Sequence, residues 1–124
     1  MKLRLRENSI RLRLLRSEVS DLRKNGSSAE IITFGKTRAL TYRVEISDAA
    51  ETISARFQND EITVEIPRAE AIQWIDTEQT GLQSVQQTGG EKPLSILIEK
   101  DFVCVERPAD TDNLDAFPHP KMKC

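Results

Sequence analysis

Residues 2–14 read Lys2-Leu3-Arg4-Leu5-Arg6-Glu7-Asn8-Ser9-Ile10-Arg11-Leu12-Arg13-Leu14, and their alternation decides the class of fold. Apolar and basic side chains change places at every residue from Lys2 to Arg6, and again from Ile10 to Leu14. A strand sends successive side chains to opposite faces, so each run can bury one face and wet the other. Glu7-Asn8-Ser9 is short enough for a hairpin turn, with Asn8 suited to a positive φ. The stretch therefore predicts an antiparallel hairpin. Leu3, Leu5, Ile10, Leu12 and Leu14 form its core face, and Lys2, Arg4, Arg6, Arg11 and Arg13 its other face.

The same period recurs downstream. Leu40 to Ile46, Ile53 to Phe57 and Ile62 to Ile66 alternate apolar with polar residues. Glu30 to Phe34, Leu94 to Glu99 and Phe102 to Glu106 read as further strands, with a short one at Leu82 to Val85 inside the polar stretch 76–93. Asn59-Asp60 is a tight-turn signal. Two short helices break the series. Ser17 is the expected N-cap of the first, which Lys24-Asn25-Gly26 ends. Pro67 opens the second, with Ala71, Ile72, Trp74 and Ile75 as its apolar stripe. No internal repeat of useful period stands out. The expectation is an α+β fold: a curved, mainly antiparallel sheet of about 7–8 strands, barrel-like, with two short helices. Residues 1–108 read as one domain and 109–124 as a tail, mobile or draped over the body by Leu114 and Phe117.

Charge is spread unevenly. The chain has 124 residues and a formal charge of −2, but residues 1–24 hold eight cations against three anions. The remainder holds ten cations against seventeen anions. Hydrophobic residues at 38% and charged residues at 31% suit a globular chain rather than a disordered one. Two cysteines, Cys104 and Cys124, make no disulfide framework. No run approaches the ~20 apolar residues that span a bilayer, and no signal-peptide pattern opens the sequence. A cytoplasmic location is the simplest expectation.

The feature with most chemical content is the polar face of the expected sheet. Lys2, Arg4, Arg6, Arg11, Arg13, Arg43 and Arg56 would share it with Glu45, Glu61, Glu65 and Glu99. Arginine grips phosphate and carboxylate bidentately, so a concave face of this kind suits an anion. Cross-strand Arg–Glu pairs in solvent explain the same pattern without a ligand. Cys104, His119 and Cys124 form an alternative metal set, though their spacing fits no established finger or ribbon. The lone histidine, the strand setting of Cys104 and the absence of nucleotide or nucleophile-elbow motifs leave no catalytic constellation. Leucines rather than stacking aromatics interleave the basic residues, which argues against nucleic acid.

Two resemblances accompany these residues. The charged sheet face loosely resembles the triphosphate-tunnel family, whose Glu-x-Glu-x-Lys signature falls where this chain has Lys2-Leu3-Arg4-Leu5-Arg6. The chain more closely resembles a small uncharacterised bacterial family. That family opens with an "MKLRIRGNSIRLRL-x-RSEV" type of segment and has a late "EKDF-x-C" segment. This sequence matches through Met1 to Leu14, Arg16-Ser17-Glu18-Val19, Glu99 to Cys104 and Asp115-Ala116-Phe117-Pro118. That resemblance implies no activity. The expected function is a non-enzymatic binding or interaction module. The alternative is a phosphate- or polyphosphate-binding protein, hydrolysing or not. A small anion or a protein partner is expected, a second copy included; no cofactor and no membrane partner are.

Overall fold

The computed structural model describes residues 1–102 and 115–117. Among them, ten elements follow one another: β1 (Lys2–Arg6), β2 (Ser9–Leu14), α1 (Arg16–Asn25), β3 (Ser27–Thr33), β4 (Ala39–Ser47), β5 (Ser54–Gln58), β6 (Glu61–Pro67), α2 (Arg68–Asp76), β7 (Gly81–Gln86) and β8 (Leu94–Lys100). The class is α+β, as the patterning implies. The single curved sheet is corrected to two four-stranded sheets, ordered β1-β2-β8-β7 and β3-β4-β6-β5. Four strand pairs are antiparallel, but the central pairs β2–β8 and β4–β6 are parallel. Alternation tells which face of a strand is apolar and not which strand lies beside it, so this pairing was not written in the period-two pattern.

Each sheet takes one hairpin from each half of the chain, and the two halves repeat. Hairpin β1–β2, helix α1 and hairpin β3–β4 form the first half. Hairpin β5–β6, helix α2 and hairpin β7–β8 form the second. An offset of 52 residues carries β1 through α1 onto β5 through α2. It superposes Arg4 on Arg56, Ile10 on Ile62, Arg16 on Arg68 and Glu18 on Glu70. An offset of 54 carries β3–β4 onto β7–β8 and places Glu45 on Glu99, in agreement with the pairing registers of the two parallel pairs. The repeat escaped the sequence because hydrophobic character, not identity, is what the halves share.

One core lies between the sheets. Leu12 and Leu14 meet Ile96 and Ile98 from the first sheet and Val44, Val64 and Ile66 from the second, all buried. Val19 and Leu22 of α1 and Ala71 and Trp74 of α2 join them. The helices leave β2 and β6 at the ends away from the hairpin turns, and they touch each other. No described helix is long and apolar enough to cross a membrane.

Local details refine the expectations. α1 begins at Arg16, and Leu15 precedes it, with the Glu18 carboxylate accepting the Leu15 N–H at 2.8 Å. Ser17 is therefore inside the first turn and is not the N-cap; its hydroxyl donates to Asp115 at 2.6 Å. Gly26 ends the helix with φ 82° as expected, since only glycine enters that region without steric cost. Phe34 lies beyond β3, in the loop to β4. Of the expected strand Phe102 to Glu106, Phe102 makes an isolated bridge to Phe117, and residues 103–106 lie outside the described residues.

The first turn has two residues, and Glu7 rather than Asn8 takes the positive φ, at 51°. A type II′ turn asks for positive φ at that first position, where glycine is favoured. A side chain held there costs about 1–2 kcal/mol, offset in part by the chain entropy that glycine would lose on folding. Glu7→Gly is therefore expected to stabilise the protein by about 0.5–1 kcal/mol. An unchanged or lower midpoint in urea denaturation would count against a strained Glu7.

Candidate functional site

Register divides the seven expected anion-binding residues between two surfaces. Lys2, Arg4 and Arg6 of β1 and Arg11 and Arg13 of β2 share the outer face of the first sheet, because their neighbours Leu12 and Leu14 point into the core. Arg43 of β4 and Arg56 of β5 stand on the outer face of the second sheet, beside the inward Val44 and Val64. The structure does not bring these two groups together. Nor do they line a tunnel: no closed barrel forms, and the interior is apolar. The triphosphate-tunnel likeness stops there, because a tunnel needs its charges inside and here the leucines hold that side.

The two outer faces differ in balance. On the second sheet every arginine has an acidic partner. Arg43 donates to Glu61 at 2.7 Å, and Arg56 donates to both Glu65 and Glu45. The Arg43 hydrogen bond holds the Glu61 carboxyl below the usual carboxylate range, and the Glu65 and Glu45 bonds raise Arg56 further. Three glutamates thus more than neutralise two arginines.

On the first sheet, register sets Lys2 directly opposite Arg13 and Arg4 directly opposite Arg11. Like charges directly opposite one another destabilise a strand pair. Glu99 of β8 answers two of them, accepting from Arg11 Nε at 2.5 Å and Arg13 Nε at 3.3 Å. Lys2 Nζ lies 3.0 Å from Asp101 Oδ2. This is a charge contact rather than an aligned hydrogen bond, because among the described residues that oxygen has no hydrogen-bond partner. Arg4 and Arg6 have no ion pair among the described residues. Lys2, Leu3, Arg4, Arg11 and Arg13 line a shallow notch of about 170 Å³. That is below the ~300–1,000 Å³ of pockets that enclose drug-sized ligands, so the surface suits a small anion or the flank of a longer one. The sequence patterning does not single out Asp101, which lies just past the end of β8, where its N–H donates to the Leu14 carbonyl at 2.9 Å.

A second polar cluster sits at the junction of β1 and β3. The Met1 ammonium contacts the carboxylates of Glu18 and Glu30. The Tyr42 hydroxyl shares its one hydrogen between the Met1 carbonyl at 2.9 Å and Glu30 at 3.0 Å. Burial opposes the Met1 charge, but the hydrogen bonds it donates to both carboxylates outweigh it and raise its pKa. Burial pushes the Glu18 carboxyl up, and burial with the Glu30 bond pushes Tyr42 to about 12. The cluster joins the two sheets.

No group of three or more potential metal ligands occurs among the described residues. Cys104, His119 and Cys124 lie outside them. A family model described as a family of unknown function matches residues 1–121. No curated protein matches the chain, and no solved structure does.

Proposed function

The chain belongs to that family, DUF7009, and on this premise we propose that it is a non-enzymatic binding module that takes up a polyanion on the basic outer face of the first sheet. One observation carries this reading. Two like-charge pairs, Lys2 opposite Arg13 and Arg4 opposite Arg11, stand side by side. The equivalent positions of the second sheet hold Ser54 opposite Glu65 and Arg56 opposite Thr63, and the one like-charge pair there, Glu45 opposite Glu65, is bridged by Arg56. A fold built from two similar halves had a balanced solution and does not use it here. A bound anion would relieve the repulsion, and arginine forks suit phosphate or carboxylate oxygens. Phosphate and short polyphosphates are the ligand class of choice, because the notch is small and shallow.

Thermal denaturation with inorganic tripolyphosphate tests this. The ligand is expected to raise Tm at low ionic strength and to lose that effect as salt is added, since the Debye length shrinks to about 10 Å at 0.1 M. The triple variant Arg4→Ala, Arg11→Ala, Arg13→Ala should lose the shift. Glu99→Gln should enlarge it, because the carboxylate competes with the ligand for Arg11 and Arg13. No shift at any salt concentration, or an unchanged shift in the triple variant, sinks the proposal. Release of phosphate from tripolyphosphate would replace it with an enzymatic reading.

A further inference from the structure

The two places where the sheets meet edge to edge are equivalent in the repeat but are closed differently. In a two-residue hairpin the closing pair exchanges hydrogen bonds, and every second pair behind it does so. For β5–β6 this turns the N–H and C=O of Ala55 away from β6, towards β7. There the Gln86 side chain acts as a substitute strand: its Oε1 accepts the Ala55 N–H at 2.7 Å, and its Nε2 donates to the Ala55 carbonyl at 2.9 Å. Ser84 Oγ adds a bond to the Ile53 carbonyl at 3.1 Å.

The repeat places Leu3 where Ala55 stands, and Ile32 where Gln86 stands. An isoleucine cannot bridge a strand edge. The same hairpin rule turns the N–H and C=O groups of Leu3 and Leu5 outward from β1, and no described group bonds to them. From the other side, the Phe34 N–H bond to the Arg38 carbonyl fixes the alternation of β3–β4. It turns the backbone groups of Ile31 and Thr33 outward from β3, again without described partners. Met1 closes this junction at one end, on Glu30 and Tyr42. Beyond it β1 and β3 do not come as close as β5 and β7 do. Among the described residues the result is a wedge with an open strand edge on each side.

The side chains around the wedge fit one kind of occupant. On the inner side Leu5 is 60% exposed, Ile32 42% and Phe34 72%, although their strand neighbours Ile10 and Tyr42 are buried. On the outer side Arg4 and Arg6 project from β1. We propose that the wedge between β1 and β3 receives an extended peptide from a partner protein, with apolar and acidic residues in alternation. The peptide pairs its backbone with both edges, as strand-adding ligands do. Its apolar residues cover Leu5, Ile32 and Phe34, and its acidic residues meet Arg4 and Arg6. This site lies on the strand edge and does not depend on phosphate binding at the outer face, although Arg4 borders both.

The test uses the full chain and a fluorescein-labelled, capped peptide alternating valine and glutamate, followed by anisotropy. Saturable binding is expected. A peptide of the same composition with valines and glutamates in separate blocks should bind at least about tenfold more weakly, as should the alternating peptide N-methylated at alternate residues. Leu5→Pro, which removes an N–H aimed into the wedge but no β1–β2 bond, should weaken binding similarly. Should that variant fail to fold, the N-methylated peptide on the wild-type chain decides. Equal binding of the blocked or N-methylated peptide would reduce the effect to charge alone and overturn the proposal. No binding at about 1 mM peptide would overturn it as well. Dimerisation of the free chain that is lost on Ile32→Asp would overturn it in favour of a second copy as occupant.

Discussion

Trp74→Ala is expected to cost about 3–5 kcal/mol of unfolding free energy, the largest stability effect of any single substitution in this protein. Trp74 is fully buried on α2 and packs with Leu12, Val44, Val64 and Ile98 in the shared core. In the repeat it stands where Leu22 stands on α1, also fully buried, so the two helices insert one large side chain each into the same space. The helices are short and must be held by such burial rather than by their own propensity. Lys100 Nζ, itself buried, lies 6.0 Å from the indole ring and donates to the Thr77 carbonyl at 2.7 Å; truncating Trp74 would strip one wall from that cation. The indole N–H has no hydrogen-bond partner among the described residues. Trp74→Phe discards that orphaned donor along with part of the ring, so its cost should stay below about 2 kcal/mol. Urea denaturation followed by circular dichroism measures both variants. A cost near zero for the alanine would mean that α2 is not part of the core, and equal costs for the two would remove the indole N–H from the account.

The hairpin at residues 2–14 was legible because every position repeats one instruction: leucine or isoleucine in, lysine or arginine out. Its strands, its turn and its charged face all follow. Sheet membership was not legible. Nothing in Leu94 to Lys100 announces that β8 lies parallel to β2, because a buried central strand shows apolar character whichever neighbour it has. Alternation alone therefore places the seven expected anion-binding residues on one face, whereas register splits them five and two. Arg43 and Arg56 look no different in sequence from Arg11 and Arg13. Only the balance of partners separates them: Arg43 and Arg56 meet Glu61, Glu65 and Glu45, whereas Arg11 and Arg13 share the one Glu99 and stand opposite Arg4 and Lys2.

The repeat explains why sequence and site part company at these places. Equivalent positions keep their inward residue type, as Leu12 with Val64 and Leu14 with Ile66 do, since both halves fill one core. Positions outside that core, on the outer faces or at the sheet edges, are free of that constraint and diverge. Arg13 became the counterpart of Glu65, and Ile32 the counterpart of Gln86. Each divergence removes a bond that the other half keeps: a salt bridge in the first case, a sealed strand edge in the second. Both fall on the same side of the molecule, at β1 and its neighbours. Sites that break a local rule of the fold are where function is expected.

Alkaline pH should act first on the cluster at Met1. The Tyr42 phenol titrates near 12 in the folded chain against 10.0 for an ordinary phenol, because burial and the Glu30 hydrogen bond disfavour the phenolate. A pKa raised on folding contributes stability that is complete below the unfolded value and lost as pH climbs through the folded one. For Tyr42 that loss runs from pH 10 to about 12. The Met1 ammonium, raised above 8.0, begins to withdraw its share earlier, above pH 8. The acid side is a poorer readout, since Glu18 is pushed up and Glu30 down, and their contributions oppose each other. Tyr42 is the sole tyrosine, so phenolate absorbance reports this group alone, with an expected midpoint near 12 in the folded protein. Tyr42→Phe leaves the buried Met1 carbonyl without its donor, at a cost of about 1–3 kcal/mol at neutral pH. It should also remove the steep fall in stability between pH 10 and about 12 while leaving the shallower one above pH 8 in place. A wild-type midpoint near 10 would show a hydroxyl in water rather than on Met1 and Glu30. An alkaline unfolding profile unchanged in Tyr42→Phe would leave the Tyr42 hydroxyl with no part in the loss.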